Sequence, residues 1–180
     1  MKNYIIALCA PTGDGKTELI HAVCAALPDK IQIIKSVTTR PQRGGKDGIS
    51  YEFVTTDEFE RRRVAGHFVE TVVYGDSLYG SDRYNVDEVL ATTHGIRAVT
   101  QSGILSLQHA GYLVTPIKII AKGNEDIKAT LYEQNPQRKN DDEVGAKIVI
   151  DFTHVIVNDF EQDGFDKAVS ELVSIIATLE

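Results

Sequence analysis

The chain has 180 residues, of which 42% are hydrophobic and 25% are charged, and its formal net charge is −7. This length suits one domain with a sizeable core, and no apolar run approaches the length of a membrane span. The acidic balance argues against a broad nucleic-acid-binding face, because such a face must neutralise many phosphate groups. Two cysteines without paired spacing indicate neither a disulfide nor a metal site. We therefore expect a cytoplasmic protein that binds neither a membrane nor a nucleic acid.

The first motif lies where the first predicted strand ends. The apolar residues 4–9 run directly into residues 10–19 (APTGDGKTEL), and a helix with apolar spacing follows. A glycine-rich loop between a strand and a helix surrounds an anionic phosphate with backbone N–H groups and a positive helix end. The sequence therefore predicts a P-loop in which Lys16 reaches the β- and γ-phosphates and the Thr17 hydroxyl holds Mg²⁺. The residues predicted to bind ATP are Pro11, Thr12, Gly13, Asp14, Gly15, Lys16 and Thr17.

A second group of anion-binding residues is predicted in the turn-rich segment at residues 35–48. Pro41 and several glycines predict a loop here, and Arg40 and Arg43 lie in it, close to Ser36 and ahead of Tyr51. The planar fork of an arginine side chain suits bidentate recognition of a phosphate. The segment is therefore either a second phosphate site, which we favour, or a solvated connection.

The remaining chain alternates between predicted strands and helices. Strands are expected at residues 31–34, 51–54, 68–74, 96–99, 114–120 and 154–157. Helices are expected at residues 56–65, 104–110, 125–133 and 165–179, with a further one after residue 85. Thr55 with Glu58, and Asn85 with Glu88, have the spacing of helix N-caps.

Strands alternating with helices after a phosphate loop predict an α/β fold, namely a P-loop three-layer α/β/α domain with a mostly parallel central sheet. Residues 35–87 interrupt the alternation with strand-rich and turn-rich sequence, which predicts an inserted lobe carrying the second anion site. Residues 134–142 are polar and include Pro136, so we expect a surface loop there. The expected organisation is a single domain at 1–180, with a core at 1–34 and 88–180, the lobe at 35–87 and a short lid at about 132–147.

Several short motifs outside the P-loop point to one enzyme family. They are residues 36–43 (SVTTRPQR), 48–54 (GISYEFV), 66–70 (GHFVE), 79–81 (YGS) and 155–159 (VIVND). Together with the P-loop they resemble guanylate kinase over nearly the whole chain. The resemblance implies a nucleoside monophosphate kinase that transfers the γ-phosphoryl group of ATP, with Mg²⁺, to GMP or dGMP. It also implies small-molecule nucleotides as partners, in a monomer or a homodimer.

The resemblance implies a role for each matched residue. The phosphate of GMP is expected to contact Arg40, Arg43, Tyr51 and Tyr79. The guanine base is expected to contact Ser36, Glu70 and Ser81. A carboxylate suits this base, because it accepts hydrogen bonds from both N1–H and N2–H of guanine. The catalytic residues are expected to be Lys16, Arg40 and Arg138.

The sequence departs from the family at several positions. The family's strand end L-D-I-D is residues 97–100 (RAVT) in this chain, so both acids are absent, at Ala98 and Thr100. Thr130 and Ile148 stand where lid arginines are expected, which leaves Arg138 as the obvious lid cation. Losing such an arginine lowers the rate of phosphoryl transfer by orders of magnitude in other enzymes.

These departures leave three alternatives to an active guanylate kinase. One is a guanine-nucleotide-binding protein with weak or no kinase activity, and another is a P-loop kinase of a different phosphorylated acceptor, such as a ribose bisphosphate. The third is a protein-interaction module, against which the intact Lys16 and Thr17 count. A smaller departure is Ala10, which replaces the opening glycine of the P-loop pattern and cannot adopt a positive φ cheaply.

Overall fold

The computed structural model describes residues 2–45, 47–161 and 163–179, so positions 1, 46, 162 and 180 of the predicted domain lie outside the described residues. The strands are β1 (Ile5–Cys9), β2 (Ile31–Ile33), β3 (Ser36–Thr38), β4 (Tyr51–Phe53), β5 (Phe68–Tyr74), β6 (Ser77–Asp82), β7 (His94–Ala98), β8 (Val114–Lys122) and β9 (His154–Asp159). The helices are α1 (Lys16–Ala26), α2 (Asp47–Ser50), α3 (Thr56–Val64), α4 (Arg83–Leu90), α5 (Gln101–His109), α6 (Glu125–Gln134), α7 (Gln137–Gly145) and α8 (Gly164–Ala177). Within the described ranges, no helix has both the length and the apolar character needed to cross a membrane.

The central sheet contains five parallel strands in the order β2-β7-β1-β8-β9. Strand β1 lies in the middle and is buried along its whole length, as expected for a parallel strand covered on both faces. One face packs against α1 and α8, through residues such as Leu19 and Leu172. The opposite face packs against α4 and α5, through Val86 and Leu107. The predicted three-layer α/β fold with a mostly parallel central sheet is confirmed.

A second sheet of four strands, in the order β4-β3-β6-β5, lies within the predicted lobe. Strand β3 pairs in parallel with β4 and antiparallel with β6, and β6 pairs antiparallel with β5. Helix α3 packs on this sheet and buries Phe59, whose ring stacks on Phe68 with 4.6 Å between the centroids. The predicted cap of α3 is confirmed, because the Thr55 side chain accepts a hydrogen bond from the Glu58 N–H at 3.2 Å.

Two predicted helix starts are wrong. The cap of α4 is Asp82, which accepts from the Tyr84 N–H at 2.9 Å, and not Asn85. Aspartate and asparagine are equally good N-caps, so the pattern alone could not choose between them. Helix α5 begins at Gln101, three residues earlier than expected, because Thr100 caps it by accepting from the Gly103 N–H at 3.2 Å.

Two segments predicted as loops contain regular structure. Residues 134–142 are mostly helical, because α7 begins directly after Pro136. Proline cannot continue α6, but its fixed φ suits the start of a new helix, so the same residue ends one helix and begins the next. The turn-rich segment 35–48 likewise contains β3 and the start of α2.

Candidate active site

A cleft of about 780 Å³ lies where the P-loop, the lobe and α7 face one another, at the carboxyl end of β1 and β7. Ligands of parallel α/β sheets bind at this end of the strands. All the site residues predicted from the sequence line the cleft except Ser81. Ser81 is fully buried behind the lining, where it contacts Glu70. The structure therefore brings both predicted nucleotide sites to one cavity.

The P-loop takes its shape from two glycines and two asparagines. Gly13 and Gly15 have φ values of 82° and 79°, which other residues rarely adopt. Asn124 donates to the Gly13 carbonyl oxygen at 3.1 Å, and Asn158 donates to the Asp14 carbonyl oxygen at 3.1 Å. A Cβ atom at Gly15 would lie 2.4 Å from the Asn158 side chain, so only glycine fits there.

Ala10 does not strain the P-loop. No residue other than glycine has a positive φ in the described part of the chain. The conformation that alanine adopts with difficulty is therefore not required at this position. This departure from the motif costs the P-loop little.

Lys16 begins α1 and is held inside the P-loop. Its Nζ atom donates to the carbonyl oxygens of Ala10 and Pro11, at 2.6 and 2.7 Å. Burial lowers the pKa of this ammonium group, and the charges of Asp14 and Asp142 oppose that effect. In the described structure the ammonium group is therefore held by the P-loop to which the sequence assigned it.

The predicted acceptor end of the cleft carries converging guanidinium groups. Arg40 is buried, donates to the Asp47 carboxylate at 2.7 Å and lies 4.9 Å above the Tyr51 ring. Burial lowers the pKa of Arg43, and the nearby charges of Arg40 and Arg138 lower it further. Because Arg40 and Arg138 surround Arg43 with positive charge, this end of the cleft suits an anion.

The predicted base-reading residues are held by side-chain hydrogen bonds. Ser81 Oγ donates to the Glu70 carboxylate at 2.5 Å and holds it in one orientation. Ser36 Oγ accepts a hydrogen bond at 2.9 Å from Nη2 of Arg97, which is only 3% exposed. In the sequence, Arg97 belongs only to a departure from the family pattern, although a charged residue in a buried strand is itself a signal of function.

Asp142 of α7 joins the three parts of the cleft. Its carboxylate accepts from the Thr12 N–H of the P-loop at 2.9 Å and from the Tyr74 hydroxyl of β5 at 2.7 Å. It also accepts from the Tyr132 hydroxyl of α6 at 2.9 Å. Sequence reasoning missed this residue, because nothing in a polar segment indicates which acid will face the P-loop.

We expect replacement of Asp142 by alanine to loosen the lid. The variant loses three hydrogen bonds to a charged group, each worth about 1.5–3 kcal/mol, among them the links from α7 to the Thr12 N–H of the P-loop and to the Tyr74 hydroxyl of β5. Amide hydrogen exchange of residues 137–145 should become faster, and the turnover rate should fall about tenfold or more. Glu143→Ala, an exposed acid on the same helix, is the control and should change neither quantity. Unchanged exchange in Asp142→Ala would contradict the assignment.

Three of the four positions where acids and lid arginines are missing lie in the cleft, whereas the exposed Thr130 does not belong to its described lining. Ala98, Thr100 and Ile148 line it, and Arg138 lines it as well. Lys139 and Lys147 are exposed and do not belong to its described lining. Three of the departures therefore change the charge of the cleft lining itself.

A P-loop and a basic acceptor lobe that share one cleft define a class, the P-loop nucleoside monophosphate kinases. The family model for guanylate kinase matches residues 1–179. The chain is 31% identical over 171 residues to the guanylate kinase of Chlamydia caviae, a match that covers 90% of this chain and 83% of that protein. It is 27% identical over 184 residues to the guanylate kinase of Myxococcus xanthus, a match that covers 96% of this chain and 85% of that protein.

A solved structure agrees with the fold. The crystal structure of guanylate kinase from Anaplasma phagocytophilum matches with a TM-score of 0.67 at 23% identity, over 98% of this chain and 85% of that one. The chain belongs to the guanylate kinase family. It is a phosphotransferase of the kind that uses ATP to phosphorylate GMP.

Proposed function

We propose that the chain is an active guanylate kinase that converts ATP and GMP, or dGMP, into ADP and the nucleoside diphosphate. One observation carries the proposal. The P-loop with Lys16 and the basic group of Arg40, Arg43 and Arg138 line the same cleft, so a donor and an acceptor phosphate can meet there. Family membership supports the choice of substrates.

The transfer needs no covalent intermediate with the protein. A phosphate oxygen of GMP attacks the γ-phosphorus in line, the bond to the β,γ-bridging oxygen breaks, and ADP leaves with that oxygen. The protein contributes positioning and charge neutralisation. We assign Lys16 to the β- and γ-phosphates of the donor, and Arg40 and Arg43 to the phosphate of the acceptor. Arg138 of the lid is assigned to the γ-phosphoryl group that is being transferred.

The P-loop offers one oxygen ligand that suits Mg²⁺. Thr17 offers one hydroxyl oxygen at the cleft, and the described residues contain no cluster of three or more His, Cys, Asp or Glu side chains suited to a metal. Mg²⁺ commonly keeps several waters and binds through one or two protein oxygens plus the substrate phosphates. When bound with ATP, the cation would neutralise phosphate charge, and Thr17 would hold it.

We also assign the moving parts of the enzyme. Residues 35–87 form the GMP-binding lobe and residues 132–147 the lid, while 1–34 and 88–180 form the core of one domain. The separate sheet of the lobe supports this division, as do the lid contacts of Asp142 with the P-loop and β5. Closure of lobe and lid would exclude water from the transferring group.

An acceptor panel tests the proposal. The protein is mixed with ATP and Mg²⁺ and with GMP, dGMP, AMP or a ribose bisphosphate in turn, and ADP formation is followed. We expect ADP with GMP or dGMP and little with AMP. Activity with the ribose bisphosphate alone would show a kinase of another acceptor. Calorimetric binding of GMP without ADP formation would show a nucleotide-binding protein instead, the alternative that the curated relatives do not favour.

A further inference from the structure

Arg97 carries donors that the described protein does not use. It lies on β7 and is 3% exposed. Its Nη2 atom donates to Ser36 Oγ at 2.9 Å, while Nε and Nη1 are buried without a hydrogen-bond partner. Burying such donors costs free energy unless something pairs with them.

The place of Arg97 in the sheet does not by itself require an arginine. The family's strand end L-D-I-D has leucine at this position, and β7 pairs here with Ala7 of the fully buried β1. Leucine would satisfy such a site by packing alone. An arginine with two buried donors that have no partner is therefore a candidate for binding a ligand.

The surroundings of Arg97 identify the part of the ligand that it faces. Arg97 and Glu70 line the same cleft. Burial lowers the pKa of the Arg97 guanidinium, and the nearby Glu70 and Tyr51 favour its charged form. Ser36, which Arg97 contacts, belongs to the predicted base-reading set together with Glu70. Arg97 therefore lies at the base end of the acceptor site.

The Glu70 carboxylate and the Arg97 guanidinium match two edges of one guanine base. A carboxylate pairs with N1–H and N2–H of guanine, whose O6 and N7 atoms are acceptors. Arginine donating to O6 and N7 is the commonest specific contact with guanine in nucleic-acid complexes, and its fork fits both atoms. Adenine carries a donor at N6 and would oppose the guanidinium.

We propose that Arg97 is a second base-reading residue, which donates to O6 and N7 of a 6-oxopurine nucleotide and so excludes adenine. The inference rests on the proposed function, because it assumes that the acceptor is a guanine nucleotide. It adds a specificity-determining contact at a position where the family pattern has none.

Binding of dGMP and of 7-deaza-dGMP, in which a C–H group replaces N7, tests this contact. Calorimetry with the intact protein should show that wild type binds dGMP about tenfold more tightly than the deaza analogue. In Arg97→Leu, dGMP should bind more weakly and the preference should disappear. Arg97→Lys should also lose most of the preference, because one ammonium group cannot replace the fork. Arg61→Leu removes an exposed arginine and is the control for charge, so this variant should keep the preference for dGMP.

Thermal melting separates ligand binding from a structural role. Arg97→Leu removes two unpartnered buried donors, so its melting temperature should equal or exceed that of wild type. A lower melting temperature together with an unchanged preference for dGMP would mean that Arg97 is structural, and it would overturn the inference. Equal weakening of both nucleotides by Arg97→Leu, with the preference kept, would place Arg97 on another part of the ligand and overturn it too.

Wild type alone provides a test that needs no variant to fold. If wild type binds and phosphorylates dGMP but binds 7-deaza-dGMP equally well, the inference about Arg97 is wrong and the proposed function stands. If wild type binds neither nucleotide, the proposed function is wrong and the inference falls with it.

Discussion

Replacement of Lys16 by alanine is expected to remove nearly all phosphoryl transfer while leaving the fold intact. The Nζ atom is bonded to two carbonyl oxygens of its own P-loop, so in the complex it exchanges these partners for phosphate oxygens. Removing one preorganised donor at developing charge typically costs about a hundredfold to a thousandfold in kcat. The measurement is the steady-state rate of ADP formation with Mg²⁺, ATP and GMP.

A matched control is available on α8. Lys167→Ala removes an exposed lysine from a helix that contributes no residue to the described lining of the cleft, and its rate should equal that of wild type. Circular dichroism should show that both variants are folded. A Lys16→Ala enzyme with more than about a tenth of the wild-type kcat would contradict the role assigned to the P-loop.

Replacement of Glu70 by glutamine is expected to reduce the preference for GMP over AMP. Glutamine presents an NH₂ donor where the carboxylate presents an acceptor, so one of the two guanine N–H groups loses its partner. A hydrogen bond to a charged group contributes about 1.5–3 kcal/mol, which corresponds to roughly a tenfold to a hundredfold change. The ratio of kcat/KM for GMP to kcat/KM for AMP should fall by that factor.

The contact with Ser81 gives this prediction its control. Ser81 Oγ donates to Glu70 at 2.5 Å, and the glutamine oxygen can accept from it in the same way. The variant should therefore remain folded. Glu171→Gln changes an exposed acid on α8 and should leave the ratio unaltered. An unaltered ratio in Glu70→Gln would show that this carboxylate does not read the base.

The parts of the molecule that the sequence predicted correctly are those governed by local rules. The P-loop is recognisable because its glycines, lysine and threonine have a fixed order, and the structure places it between a buried strand and a helix, as predicted. The cap at Thr55 depends on residues three positions apart. The order of strands and helices followed from apolar periodicity, and a parallel sheet followed from their alternation.

The parts that sequence reasoning missed depend on contacts between distant segments. Asp142 and Thr12 are 130 positions apart, and Arg97 and Ser36 are 61 positions apart. The polarity of residues 134–142 predicts a loop, but a helix forms there because it is stabilised by contact with the P-loop and β5. Local propensity does not report such tertiary contacts.

The hydrogen bond from Asn158 to the P-loop has a consequence for the way the chain folds. Asn158 lies 144 positions after Asp14, whose carbonyl oxygen it binds. At the usual speed of translation, roughly seven to thirty seconds separate the synthesis of these two residues. Contacts between such distant segments form late, because the closure entropy of the intervening chain must be overcome first. The P-loop of the nascent chain therefore lacks the Asn158 contact until β9 has been synthesised and has joined the sheet.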